Sequence, residues 1–183
     1  SDINVSEDDL DYVIALSDVF NDVDDDNASI EKTAVSGNES LVTATTEGDL
    51  LTLSFKPNSS GTASITVTGN SSGQTVDDVF TVTVSPVNDA PAFSSSPPLM
   101  VSRGSSYDYS VSATDPDGNA SLVITAPTKP NWLTLTDRGE GIATLSGTPS
   151  GQLSDHGVVL SVSDGNATTT QSFTISVTEH NSP

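Results

Sequence analysis

Short runs in which apolar and polar residues alternate recur along the whole chain. Leu51, Leu53 and Phe55 alternate with Thr52, Ser54 and Lys56, Ala63, Ile65 and Val67 with Ser64, Thr66 and Thr68, and Phe80, Val82 and Val84 with Thr81 and Thr83. The pattern returns in Tyr107, Tyr109, Val111 and Ala113, in Val158, Leu160 and Val162, and in Phe173, Ile175 and Val177. A period of two sends alternate side chains to opposite faces, so these runs predict antiparallel strands buried on one side. Between them lie turn clusters such as Pro57-Asn58-Ser59-Ser60-Gly61, Asp115-Pro116-Asp117-Gly118 and Ser163-Asp164-Gly165-Asn166. Gly and Asx residues there supply positive φ and local side-chain hydrogen bonds. Residues 8 to 20 carry partial helical spacing at Leu10, Val13, Ile14 and Leu16, but Tyr12-Val13-Ile14 favours a strand. Closely spaced turns without a sustained helical period predict an all-β sandwich class.

Residues 74 to 87 predict a long closing strand, after which Asn88-Asp89-Ala90-Pro91 and Ser94-Ser95-Ser96-Pro97-Pro98 break the alternation. Each half matches the size of a seven-strand sandwich, about 100 residues. The halves share an order: an opening strand, an acidic turn (Asp22-Val23-Asp24, then Asp115-Pro116-Asp117) and a closing strand that starts at Phe80 or Phe173. This internal repeat predicts two tandem domains, 1–89 and 90–183, and an array in which each unit contacts its neighbours. The chain opens at Ser1 on the approach to a strand and closes on Asn181-Ser182-Pro183, which reads as a segment of something longer.

Charge narrows the partners. Asp plus Glu number 25 against 5 Lys plus Arg, a formal charge of −20. Such a surface is repelled by phosphate, which argues against nucleic acid and anionic membranes. The chain has no cysteine, which excludes disulfides and thiolate metal sites. It also has no apolar run of about 18 residues, so no membrane-inserting helix is expected. Divided at residue 89, the first half holds 17 acidic and 2 basic residues and the second 8 and 3. Most of the excess is thus a property of the first half, suited to keeping a protein soluble in salt.

Two sets of residues resemble a known family. The stretch from Val5-Ser6-Glu7-Asp8 through Leu16-Ser17-Asp18-Val19-Phe20-Asn21-Asp22-Val23-Asp24 to Phe80-Thr81-Val82-Thr83-Val84-Ser85-Pro86-Val87-Asn88-Asp89-Ala90-Pro91 resembles the cadherin-like repeats of giant bacterial surface proteins. Tyr107 to Gly118, Trp132-Leu133-Thr134-Leu135, Leu145-Ser146-Gly147-Thr148-Pro149 and Val162-Ser163-Asp164-Gly165 are similar to the dystroglycan-type cadherin-like module, also described as immunoglobulin-like. The resemblance implies two tandem Greek-key β-sandwiches joined end to end, often with Ca2+ at the junction. It further implies an extracellular or cell-surface setting, in adhesins and secreted polysaccharide-active proteins, and no catalysis.

Calcium takes six to eight oxygens, and short Asp and Asn side chains on turns can supply them. Asp115-Pro116-Asp117-Gly118 has that form: Pro116 fixes φ and Gly118 permits the reversal. The same sequence is also a strong turn without metal, because Asx side chains cap their own backbone. Mapping the cadherin pattern onto the chain gives Asn88 and Asp89 as the linker ligands, Asp115 and Asp117 as the paired carboxylates, Asp164 as the late aspartate and Glu7 as the lower domain's glutamate. Pro86 and Ala90 stand where the pattern has further ligands, which implies fewer or weaker ions. Asp22 and Asp24 form a weaker second set, with Asn70 in place of a late Asp, and the run Asp24 to Asp26 reads as a solvated loop.

Other chemistry finds little support. His156, expected in a turn, and His180 belong to no recognisable catalytic arrangement. Asp137 and Glu140 flank Arg138-Gly139 in an expected hairpin turn rather than facing each other across a cleft. Trp132, Tyr107 and Tyr109 are the candidates for stacking on a polysaccharide, yet the two tyrosines share a face with Val111 and Ala113, and the family places Trp132 beside the core. The expectation is therefore a calcium-binding extender or adhesion module whose partners are neighbouring repeats and a surface polysaccharide or homophilic partner. A carbohydrate-binding module and a passive spacer are the alternatives.

Overall fold

The computed structural model describes residues 1–24, 29–118 and 121–179. The chain divides into two compact units, Ser1–Val87 and Asn88–Pro183. The described residues form strands and connecting turns, with no α-helix among them. Each unit is a β-sandwich of the cadherin/immunoglobulin-like type.

The described residues of the first unit form seven strands: β1 (Ile3–Ser6), β2 (Tyr12–Ala15), β3 (Glu31–Ser36), β4 (Val42–Glu47), β5 (Leu50–Phe55), β6 (Gly61–Ser71) and β7 (Gln74–Ser85). One sheet runs β1-β7-β6-β3 and the other β2-β5-β4. Within 8 to 20, Tyr12–Ala15 forms the expected strand, antiparallel to β5. The inward faces bring Leu16, Phe20, Leu51, Leu53, Ile65, Val67, Val82 and Val84 into one core. Complete burial of each large aliphatic side chain contributes roughly 1.5–3 kcal/mol. Outward positions on β6 and β7 carry Thr62, Ser64, Thr66, Thr81 and Thr83, as the alternation requires. β1 pairs with β7 in parallel, from Ile3 opposite Val82 to Ser6 opposite Ser85.

The described residues of the second unit form eight strands: β8 (Ala92–Phe93), β9 (Met100–Ser102), β10 (Tyr107–Thr114), β11 (Val123–Thr128), β12 (Leu133–Gly139), β13 (Ile142–Gly147), β14 (Asp155–Ser163) and β15 (Thr168–Thr178). Its sheets run β12-β13-β10-β8 and β11-β14-β15-β9. The opening strand is split between them: β8 lies antiparallel to β10, and β9 lies parallel to β15. The Ser and Pro stretch 94–98 is the crossing from one sheet to the other. Proline has no N–H to donate to a ladder, so Pro97 and Pro98 suit a segment leaving one sheet for the next.

Two buried tyrosines hold this crossing. Tyr107 and Tyr109 are 2 % and 3 % exposed, in the core as their alternation predicts. The Tyr107 hydroxyl donates to the Pro98 carbonyl at 2.9 Å. The Tyr109 hydroxyl donates to Gln171 Oε1 at 3.0 Å and meets Ser95 Oγ at 2.8 Å. Gln171 Nε2 donates to the Ser95 carbonyl at 2.8 Å, closing the ring. Trp132 packs beside the core, edge-on to Tyr107.

Burial, and then the neighbouring Tyr109, pushes the Tyr107 phenol up from 10.0 to about 12. The fold therefore favours the neutral phenol. Its contribution is complete below 10.0, where the unfolded tyrosine is neutral too, and is lost as pH rises toward about 12. Denaturant titrations followed by Trp132 fluorescence are expected to lose on the order of 1–2 kcal/mol between about pH 9 and pH 12, allowing for solvent screening. Tyr107→Phe, which cannot ionise, is expected to remove that part of the slope.

His156 lies within β14, not in a turn before it. Its ring stands edge-on to Trp132 with centroids 5.7 Å apart, and Ser154 Oγ meets Nε2 at 3.1 Å. The strand takes it in because β14 starts at Asp155, paired with Ser176 of β15. His180 lies outside the described residues.

Candidate metal centre

Two acidic turns of the second unit organise themselves through their own backbone. After β10, Asp115 Oδ1 accepts the Asp117 N–H at 2.8 Å, and the Gly118 N–H reaches the Asp115 carbonyl at 3.1 Å. Gly118 has φ of +118°, a conformation that L side chains rarely adopt. Between β14 and β15, Asp164 Oδ1 accepts N–H groups from Asn166 at 2.7 Å and Ala167 at 2.6 Å. These bonds are the Asx capping anticipated for such sequences.

The segment that opens the unit is tied to both turns. Asn88 Nδ2 donates to Asp164 Oδ2 at 2.9 Å and to the Asp89 carbonyl at 2.8 Å. Asn88 Oδ1 accepts from Asn166 Nδ2 at 2.8 Å. The Asp89 N–H donates to Asp117 Oδ2 at 2.8 Å. Asn88, Asp89, Asp115, Asp117 and Asp164 thus form one hydrogen-bonded group. Asp115 is only 8 % exposed, and the Oδ2 atoms of Asp89 and Asp115 are shielded from solvent. Asn166 is the member that the sequence pattern missed. It reads there as one more polar residue of a turn, and its partner is 78 positions away.

The Asp164 carboxyl lies below its usual range, first because of the Ala167 N–H and next because of the Asn88 amide. A lowered carboxyl contributes stability above its unfolded pKa and loses it as pH falls through the folded value. Asp164 is therefore an ionised organiser of its turn at neutral pH.

Glu7 belongs to the first unit. Its N–H extends the parallel ladder to the Ser85 carbonyl at 3.1 Å, and its Oε1 accepts the Val87 N–H at 2.7 Å. The residue is 4 % exposed. Asp22 Oδ1 caps the Asp24 N–H at 2.9 Å. Asn70, matched by position to a late aspartate, instead caps the Gly73 N–H in the β6–β7 hairpin. Asp25 and Asp26 lie outside the described residues.

The remaining candidates occupy structural positions. Asp137 caps the Gly139 N–H, and Glu140 sits in the β12–β13 turn with φ of +53°. Trp132 Nε1 is enclosed and has no hydrogen-bond partner among the described residues. The indole therefore serves the core edge with Tyr107 and His156.

Residues 90–178 match the family model described as "Putative Ig domain". No curated protein matches the chain in sequence. Among solved structures, the human desmocollin-1 ectodomain is similar with a TM-score of 0.53 at 11% identity, over 100% of this chain and 36% of that one. Human protocadherin-24 EC1-2 gives 0.46 at 19% identity, over 98% and 94%. An endo-fucoidan hydrolase from glycoside hydrolase family 107 gives 0.43 at 24% identity and covers 99% of this chain, which spans 28% of the hydrolase. The desmocollin likeness bears on the fold alone. The chain is thus two β-sandwiches of cadherin/immunoglobulin-like fold, the second of which matches the family model over residues 90–178.

Proposed function

We propose that the chain is an extracellular extender or adhesion module that holds calcium on the acidic turns of its second unit. The observation that carries this is the bonding of Asn88 and Asp89 to both acidic turns of the second unit. The donor set is wholly oxygen and mostly carboxylate, which suits a hard cation and no soft one. Hydrogen bonding sorts it. Asp164 spends Oδ1 on two N–H groups and Oδ2 on Asn88, so it positions. Asp89, Asp115 and Asp117 would be the ligands. Bound calcium would supply positive charge among carboxylates that otherwise repel one another. Neighbouring repeats would be the first partners of such a module. Tyr107 and Tyr109 lie in the core and Trp132 packs beside it, which favours this reading over a polysaccharide platform built on those three rings.

Calorimetric titration of metal-free protein is expected to give saturable heat with calcium. At about 100 times Kd the ion stabilises by ~2.7 kcal/mol, which for a unit of this size raises Tm by roughly 10 °C or more. Asp117→Asn is expected to shrink the rise while leaving the melt in chelator nearly unchanged. Absent heat together with an unchanged melt would overturn the proposal.

A further inference from the structure

Each sheet has one edge built from the middle of its unit: β3 and β4 in the first, β11 and β12 in the second. An open edge can pair with another chain, and three of these four carry a feature that opposes it. β11 holds Pro127 within a register shift between Thr125 and Thr128, and β12 holds Asp137 and Arg138 at a shift of its own. β3 points the charged Lys32 inward, its side chain 1% exposed. β4 reads Val-Thr-Ala-Thr-Thr-Glu and keeps an unbroken register with β5 from Val42–Phe55 to Glu47–Leu50. It has no proline, no inward charge and no bulge. β12 ends its sheet at the equivalent place, so an edge here is common to both units.

The direction of each backbone group on β4 follows from one bond. The Lys56 N–H donates to the Leu41 carbonyl at 2.9 Å. Bonding alternates along an antiparallel pair, so Thr43, Thr45 and Glu47 exchange bonds with β5, and Val42, Ala44 and Thr46 turn their N–H and C=O groups to the open edge. The Val42 N–H is taken by the Asn38 carbonyl at 3.0 Å. Those of Ala44 and Thr46 have no backbone partner among the described residues. A cavity of about 490 Å³ lined by Glu31, Thr33, Thr46 and Asp49 leaves room beside this end of the strand.

We propose that β4 pairs antiparallel with β4 of a second copy of the chain, forming a two-fold contact centred on Thr45. In that register Ala44 of each copy meets Thr46 of the other, and their free groups exchange four N–H to C=O bonds. A register centred on Ala44 would instead ask Val42 for the N–H that Asn38 already takes. The contact is self-complementary, so one sequence supplies both sides. The two Thr45 side chains form a close threonine pair, and each Glu47 faces Thr43, a hydroxyl donor, rather than the other Glu47. Backbone pairing at an open edge supplies the affinity. The contact is small and belongs with weak, transient interfaces. The first half holds 17 acidic and 2 basic residues, so the copies repel at long range and the contact tightens as salt screens them. This pairing names a partner for the adhesion reading and does not depend on calcium, so it is tested in chelator.

The chain has no cysteine, so Thr45→Cys introduces a single thiol. Residues facing each other in a narrow antiparallel pair lie about 4.5 Å apart at Cα, within reach of a disulfide. Under mild oxidation the Thr45→Cys chain is expected to form a covalent dimer about tenfold faster than Thr43→Cys or Glu47→Cys alone, whose thiols stand out of register with their own copies. Mixing those two variants is expected to give the heterodimer. Sedimentation of the unaltered chain is expected to show a monomer–dimer equilibrium with Kd of about 0.1–1 mM, tighter by about threefold in roughly 0.5 M than in roughly 0.05 M NaCl. Thr46→Pro removes an N–H that points to the open edge and none that β5 uses, so the dimer is expected to be lost with the melt within a few degrees. Equal cross-linking rates for the three cysteine variants, a monomer at millimolar concentration in both salts, or a folded Thr46→Pro chain that still dimerises would each overturn the proposal. A chain that stays monomeric but takes an unrelated strand at β4 would also overturn it.

Discussion

Gly147→Ala is expected to unfold the second unit well before the first. Gly147 pairs with Tyr107 on one side and Leu133 on the other. A methyl group there would stand 1.9 Å from the Trp132 carbonyl oxygen and 3.1 Å from Leu133 Cα. These are backbone atoms, so no side chain can swing aside and β12 must separate from β13. Overpacking of this kind costs roughly 3 kcal/mol or more. In a unit of this size that lowers Tm by more than about 12 °C. Trp132 is the chain's one tryptophan, so its fluorescence reports the second unit selectively. Gly151→Ala is the control: nothing lies within 4 Å of the added methyl, and the expected change is within about 0.5 kcal/mol. Equal melts for the two variants would show that β13 has room at Gly147.

Asp49→Ala is expected to destabilise the first unit far more than Lys32→Met does. Lys32 is a cation in an interior, its side chain 1% exposed, whereas that of Asp49 is 47% exposed. Nζ donates to Asp49 Oδ1 at 2.5 Å and to the Ile30 carbonyl at 3.3 Å. The pair joins β3 of one sheet to the β4–β5 turn of the other. Removing Asp49 takes the Asp49 carboxylate from an enclosed ammonium, a loss of about 2–4 kcal/mol. Removing Lys32 lets Asp49 turn to water, and methionine fills similar volume with no charge to desolvate. That exchange is expected to fall within about 1 kcal/mol of the parent or to stabilise it. Denaturant melts of both variants and the double mutant measure the asymmetry. Equal losses would mean that the charge on Lys32 is not what Asp49 sustains.

Features set by neighbours along the chain are legible in the sequence. Alternation put Tyr107 and Tyr109 inside because both follow the period of Val111 and Ala113. Asp-Pro-Asp-Gly and Ser-Asp-Gly-Asn announced their turns because their capping bonds span two or three residues. Features set by contacts between residues distant in the sequence are less legible. Asn166 was invisible as a partner of Asn88, since nothing in its turn requires a distant amide. The Ser and Pro stretch 94–98 looked like the end of a pattern, yet it is a strand changing sheets. Its fixing by Tyr109 and Gln171 depends on a hydroxyl and an amide 62 residues apart. The buried Lys32 escaped because alternation marks which positions face inward and cannot say that one of them will be charged.

The parallel pairing of β1 with β7 has a consequence for a unit pulled by its ends. The two strands run the same way and their bonded residues lie side by side from Ile3–Val82 to Ser6–Ser85. Tension drawing the amino terminus one way and the carboxyl terminus the other slides one strand along its neighbour. Every bond of that ladder then carries load at once, whereas a hairpin peeled from its open end surrenders its bonds singly. β9 and β15 repeat the arrangement in the second unit. Each sandwich is thus closed by a latch loaded in shear, the geometry that best resists tension applied along a tethered chain.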